Sequence, residues 1–86
     1  MNLFIRMEAF CEAIQDEYNT ARTLFPKFHS AHEAYAVLLE EVEEFWQEVK
    51  KKDQSPEAMR KELIQIAAMS MSAVLDLSLD TEPPHA

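Results

Sequence analysis

Residues 38–49 read Leu38-Leu39-Glu40-Glu41-Val42-Glu43-Glu44-Phe45-Trp46-Gln47-Glu48-Val49. Leu38, Val42, Phe45 and Val49 recur at steps of four, three and four, the spacing of one side of an α-helix. The same turns carry Glu40, Glu41, Glu43, Glu44 and Glu48. Like charges four apart weaken a helix by a few tenths of a kcal/mol per pair. An acidic strip at the edge of an apolar face therefore calls for a positive counterpart. The simplest is a divalent cation with oxygen ligands, Mg²⁺ first among them.

The flanking sequence bounds this helix. Ser30-Ala31-His32-Glu33 reads as a capping box, in which the Ser hydroxyl and the Glu carboxylate satisfy orphan N–H groups reciprocally. Ala34, Tyr35 and Trp46 lie alongside the apolar stripe. Lys50-Lys51-Lys52 places cations at the negative end of the helix dipole, and Asp53-Gln54 makes the turn. A further helix opens with Ser55 as N-cap and Pro56 at its first position. Its expected core side is Met59, Leu63, Ile66, Ala67, Ser70, Val74 and Leu77, widened by Ile64, Met71 and Leu75. Upstream, Leu3, Met7, Phe10, Ile14, Tyr18, Ala21 and Phe25 mark a helix from about Asn2 to Leu24, broken at Phe25-Pro26-Lys27-Phe28. No strand pattern and no internal repeat is present. The expectation is an all-α fold: an antiparallel helical hairpin plus an N-terminal helix, forming an oligomeric helical bundle. It occupies residues 1–80 as a single domain, with residues 81–86 a disordered tail.

Composition excludes several function classes. The chain has 86 residues and a formal net charge of −8, which disfavours wrapping a nucleic-acid polymer. That charge suits metal-complexed phosphates, where the cation offsets the repulsion. There is no glycine, so no Walker loop, dinucleotide turn or nucleophile elbow is available. Cys11 is the single cysteine, which excludes an internal disulfide and a cysteine-based zinc site; it reads as a small apolar helix residue. No apolar stretch is long enough to span a membrane. The N-terminal segment carries acids among its apolar residues and does not read as a secretory signal, so cytoplasm is the expected location. A chain this short buries a modest core, and the apolar face of the last helix is too wide for one hairpin to cover, which favours a homo-oligomer.

On a helical wheel Glu41, Glu44 and Glu48 fall within roughly 60° of each other, beside Phe45 and Ala34. Glu40 lies just outside, and Glu43 points to solvent. In the next helix Glu62 sits at the rim of an apolar face, with Gln65 one turn on along the same flank. With a short turn between antiparallel helices, Glu62 lies ~9 Å from the turn, and Glu48 and Glu44 lie ~6 and ~12 Å from it. Glu62 is thus level with the gap between Glu44 and Glu48, and Gln65 is level with Glu44 and Glu41.

Glu40-Glu41-x-x-Glu44, followed by Glu62-x-x-Gln65 on the next helix, resembles the EExxE and ExxD motifs of the MazG-like all-α nucleoside triphosphate pyrophosphatases. The resemblance covers Phe25 to Leu77. It implies helical dimers or tetramers, dependence on Mg²⁺ (with Mn²⁺ as an alternative ion), and cleavage of (d)NTPs between the α and β phosphates. By carry-over Glu41, Glu44, Glu62 and Gln65 are the metal ligands, and Glu40 and Glu41 are the catalytic candidates, Glu40 being a further ligand or positioning the attacking water. Gln65 stands where the family has Asp: its amide oxygen still coordinates a cation but brings no charge. A full fourth helix, present in some members, is lacking. The alternative reading is a non-catalytic helical oligomer that binds a nucleotide or a protein partner.

The remaining residues have simpler readings. His29 and His32 are expected at the surface, and Trp46 in the core or a subunit interface. The methionines and other aromatics are expected in the core.

Overall fold

A computed structural model describes residues 1–81 and contains three α-helices: α1 Leu3–Leu24, α2 Ala31–Val49 and α3 Pro56–Asp76. Of the tail expected to be disordered, residues 81–86, all but the first lie outside the described residues.

Local chemistry sets the helix ends. The Asn2 side chain accepts from the Ile5 N–H at 2.9 Å, the Ser30 hydroxyl from Glu33 N–H at 3.1 Å, and the Ser55 hydroxyl from Ala58 N–H at 3.1 Å. Each satisfies one donor left over in the first turn. At the end of α3, Leu79 N–H returns to the Val74 carbonyl at 2.8 Å. That closure needs a left-handed residue, and in a chain without glycine Ser78 takes it, at φ 57°.

The central helix is α3. It packs against both α1 and α2, and those two make no close backbone approach to each other. The most deeply buried residues are mostly small. Ile64, Ala68 and Ser72 recur every fourth residue on the buried side of α3, joined by Ala73, while Ala21 and Ala34 are the buried residues of α1 and α2. Alanine lets helix axes approach closely but buries little apolar area. Among the described residues no large side chain is fully buried.

The expected core faces are therefore corrected. Leu63 and Val74, assigned to the core side of α3, are exposed, as are Leu3, Met7 and Phe25 of the α1 stripe and Val42 of the α2 stripe. Trp46 is 53% exposed and lies outside the core of this chain; Lys50 sits over its ring at 5.8 Å. Phe4, Tyr35, Met1 and Cys11 are exposed as well. On α1 the expected side is the covered one, through Phe10, Ile14, Tyr18 and Ala21, and only its ends are exposed; on α2 and α3 the cause is a rotation of the helix faces. The apolar arc of α2 runs from Ala34 and Phe45 through Val42 to Trp46, and α3 takes the edge that adjoins the acids. Periodicity locates an arc but not which edge the chain's own neighbour occupies.

Candidate metal centre

The rotation of α2 turns the acidic strip inward. Glu41, on the wheel beside buried Ala34 and half-buried Phe45, is itself half-buried. Glu62 is half-buried on α3, and Glu44 is exposed at the rim. One carboxylate oxygen from each of Glu41, Glu44 and Glu62 lies within 4.8 Å of the others. Gln65 joins them: with its amide oriented by the hydrogen bonds available, the nitrogen donates to Glu41 Oε2 at 3.2 Å and Glu62 Oε2 at 3.1 Å. The sequence-derived ligand set thus gathers at one point on α2 and α3.

The electrostatics follow from crowding. Burial, then the charges of Glu44, Glu62, Glu40 and Glu17, pushes the Glu41 carboxyl from its ordinary 4.5 up to about 7. Burial also raises Glu62, helped by the charge of Glu44, a hydrogen bond with Glu44 and the charge of Glu48. The Gln65 amide, donating to Glu41 and Glu62, offsets part of that crowding. The donors are hard oxygens at two levels of a short hairpin, the chemistry that Mg²⁺ and Mn²⁺ take.

Two neighbours have other roles. Glu40 is exposed and lines the same cleft without joining the triad. Glu48 is held by Lys51, whose ammonium lies 3.0 Å from each of its carboxylate oxygens, so Lys51 does more than face the helix dipole. His29 and His32 are exposed, as expected.

The gap between α1 and α2 is a cleft of about 580 Å³, with Glu40, Glu41, Glu44 and Gln65 in its wall and Arg22 and Asp76 also lining it. Sequence reasoning missed this second polar cluster. The Arg22 guanidinium grips Asp76 through Nη2–Oδ1 at 2.6 Å and Nη1–Oδ2 at 3.1 Å. The same guanidinium donates to the Tyr18 hydroxyl from Nη2 at 2.9 Å and Nε at 3.2 Å. Asp76 Oδ2 also accepts the Phe28 N–H at 2.9 Å. Burial pushes the Asp76 carboxyl up, but Arg22 and the Phe28 amide outweigh it and hold it below its ordinary 3.8. One carboxylate at the end of α3 therefore ties down both α1 and the α1–α2 connection.

The raised carboxyls set a pH dependence. A folded state that binds a proton more tightly than the unfolded chain loses stability as pH rises between the two pKa values. The contribution from Glu41 is complete below about 4.5 and gone above about 7. Without divalent ions, the melting temperature is expected to fall as pH rises from about 5 to about 7.5, and Glu41→Gln should flatten that slope. Thermal melts of both proteins across this window check it; a wild-type slope retained by the Gln variant contradicts it.

No helix among the described residues is long and apolar enough to cross a membrane. Compared with protein-family models, curated proteins and solved structures, the chain matches none.

Proposed function

We propose that the chain is a MazG-like, Mg²⁺-dependent nucleoside triphosphate pyrophosphohydrolase, acting as a homodimer or homotetramer and converting a (d)NTP to (d)NMP and pyrophosphate. One observation carries this reading: Glu41, Glu44 and Glu62 converge within 4.8 Å, with Glu41 and Glu44 in the wall of a cleft, on the motif positions that the resemblance assigns to the metal.

Glu41, Glu44, Glu62 and the Oε1 of Gln65 would hold the ion, which supplies charge neutralisation and polarisation of the phosphate. For Gln65 this requires a half-turn of its amide, exchanging donor for acceptor. Glu40, outside the triad in the same cleft, orients the attacking water and takes its proton. The cleft holds the rest of the nucleotide away from bulk solvent. With a net charge of −8, triphosphate binding depends on the cation being present.

A non-catalytic helical oligomer that binds a nucleotide or a protein partner is the second reading. The observation in its favour is Gln65, whose neutral amide already bridges Glu41 and Glu62.

A panel of (d)NTPs incubated with Mg²⁺, read as pyrophosphate released, tests the proposal. Release from at least one triphosphate, abolished by chelation, is the expected result. No release from any of them, with Mg²⁺ or Mn²⁺, favours the second reading.

A further inference from the structure

The cleft has two chemically distinct ends. Gln65, Met69, Ser72 and Asp76 all line it. They recur at steps of four, three and four, so one face of α3 runs the length of its wall. At a rise of about 1.5 Å per residue, Asp76 lies ~16 Å along the helix from Gln65. Glu40, Glu41 and Glu44 belong to the Gln65 end. The other end holds Arg22, paired with Asp76, and Phe28, whose N–H donates to the same carboxylate. Leu24 and Phe25, which follow Arg22 at the close of α1, line the cleft as well, and Val37 and Met69 lie between the two ends. The apolar lining is thus gathered away from the acidic triad.

Two polar groups in that apolar end are left without partners. Arg22 is the one cation in the wall of the cleft among the described residues. A guanidinium has five N–H groups. Nε and one Nη2 hydrogen go to the Tyr18 hydroxyl, and the other Nη2 hydrogen and one Nη1 hydrogen go to Asp76. The second Nη1 hydrogen has no partner among the described residues, on a side chain that is 25% exposed. Ser72, one turn before Asp76 on the same face, is 6% exposed and lines the cleft. Its hydroxyl bonds no described residue, whereas that of Ser70 donates to the Ile66 carbonyl. A phosphate does not suit this place. Asp76 already neutralises Arg22, and the exposed Glu33 adds a negative charge to the same end. A flat neutral ring with a polar edge does suit it.

We infer that Arg22 selects the nucleobase: the phosphates lie at the acidic end, the base lies in the apolar end, and the free Nη1 hydrogen is donated to an exocyclic oxygen on the edge of the base. Guanine carries such an oxygen as O6, and uracil and thymine carry it as O4. Adenine and cytosine carry an amino group at the same place, which sets donor against donor. The Ser72 hydroxyl, able to donate or accept, takes the ring nitrogen beside it. Size does not make the choice, because a cleft of about 580 Å³ has room for a purine or a pyrimidine nucleoside. Tyr18 and Asp76 act as positioning residues that hold the guanidinium plane. The inference rests on the cleft being the nucleotide site of the proposed function. A donor left unpaired against an amino group is expected to cost on the order of ten- to a hundredfold in kcat/KM.

Pyrophosphate release from dGTP, dUTP and dTTP against dATP and dCTP, with Mg²⁺, tests it on three proteins: the wild type, Asp76→Asn, and Arg22→Leu with Asp76→Asn. The double variant removes both charges together, so neither is stranded. Calorimetric binding of the five corresponding monophosphates with Mg²⁺ runs beside it. The wild type is expected to prefer the three bases with the exocyclic oxygen in both assays. The double variant should lose that preference. Asp76→Asn alone weakens the same tie between α1 and α3 but keeps Arg22, so it should lower turnover on every triphosphate and retain the preference. The wild-type comparison needs no variant to fold. Cleavage without this preference, or a preference that survives in the double variant, overturns the inference and leaves the hydrolase reading standing. Preferential binding of the monophosphates with no cleavage of any triphosphate does the reverse. No cleavage and no binding overturn both.

Discussion

Asp76→Ala is expected to destabilise the fold by about 3 kcal/mol, the cost of leaving a partly buried charge without its partner. The side chain of Asp76 is 3% exposed and that of its partner Arg22 is 25% exposed. Removing the carboxylate strands the guanidinium and the Phe28 N–H together, and the α1–α2 connection loses its tie to α3. For a domain this small such a loss is a large part of the total stability. Asp76→Asn keeps an acceptor for Phe28 but not the charge, and should fall between the two. Urea unfolding of the three proteins gives the order. A wild-type midpoint in the Ala variant contradicts the role assigned to this pair. Because the Asp76 pKa is lowered, its contribution is present above the ordinary value of 3.8 and lost as pH falls below it, a window separate from that of Glu41.

The second large effect concerns the acids. Replacing Glu44 and Glu62 together with Ala removes two of the three carboxylates in the triad. In the metal-free protein this relieves repulsion, so the double variant should be at least as stable as the wild type. The Mg²⁺-dependent rise in melting temperature should vanish, and pyrophosphate release should drop by several orders of magnitude, as when a catalytic ion is lost. Loss of activity with the metal response intact would locate the ion elsewhere. A variant that unfolds would give these acids a structural role instead.

These two clusters differ in how they could be read from sequence. The acids sit at local spacings: Glu41 and Glu44 on one helix, Glu62 and Gln65 on the next, with a short turn fixing their level. Helix geometry alone brings them close, and the structure places them together. Ser30, Ser55 and Pro56 mark helix starts through backbone chemistry that needs no tertiary context, and those ends are found where expected. Arg22 and Asp76 lie 54 residues apart. They meet because α1 packs on α3 rather than on α2, a choice that periodicity does not encode. How far Glu41 turns inward depends on a similar choice. The apolar arc of α2 is wider than the part α3 covers, and its acid-adjoining edge, not its centre, faces α3. On α3 Ile64 is legible as core, whereas Ala68 and Ser72 are small, and large apolar residues such as Leu63 pull the expected face away from them.

The most direct measurement of the central claim is a calorimetric titration of Mg²⁺ into the metal-free protein near neutral pH, repeated in buffers of different ionisation heat. The carboxyls that hold protons in the absence of the ion must release them to bind it. With Glu41 at about 7 and Glu62 raised above its ordinary value by burial and the charge of Glu44, binding near neutral pH should release protons. The release should shrink as the pH is raised, and binding should disappear in the Glu44→Ala, Glu62→Ala variant. No binding, binding without proton release, or binding that survives in the double variant would contradict a divalent-ion site at this cluster.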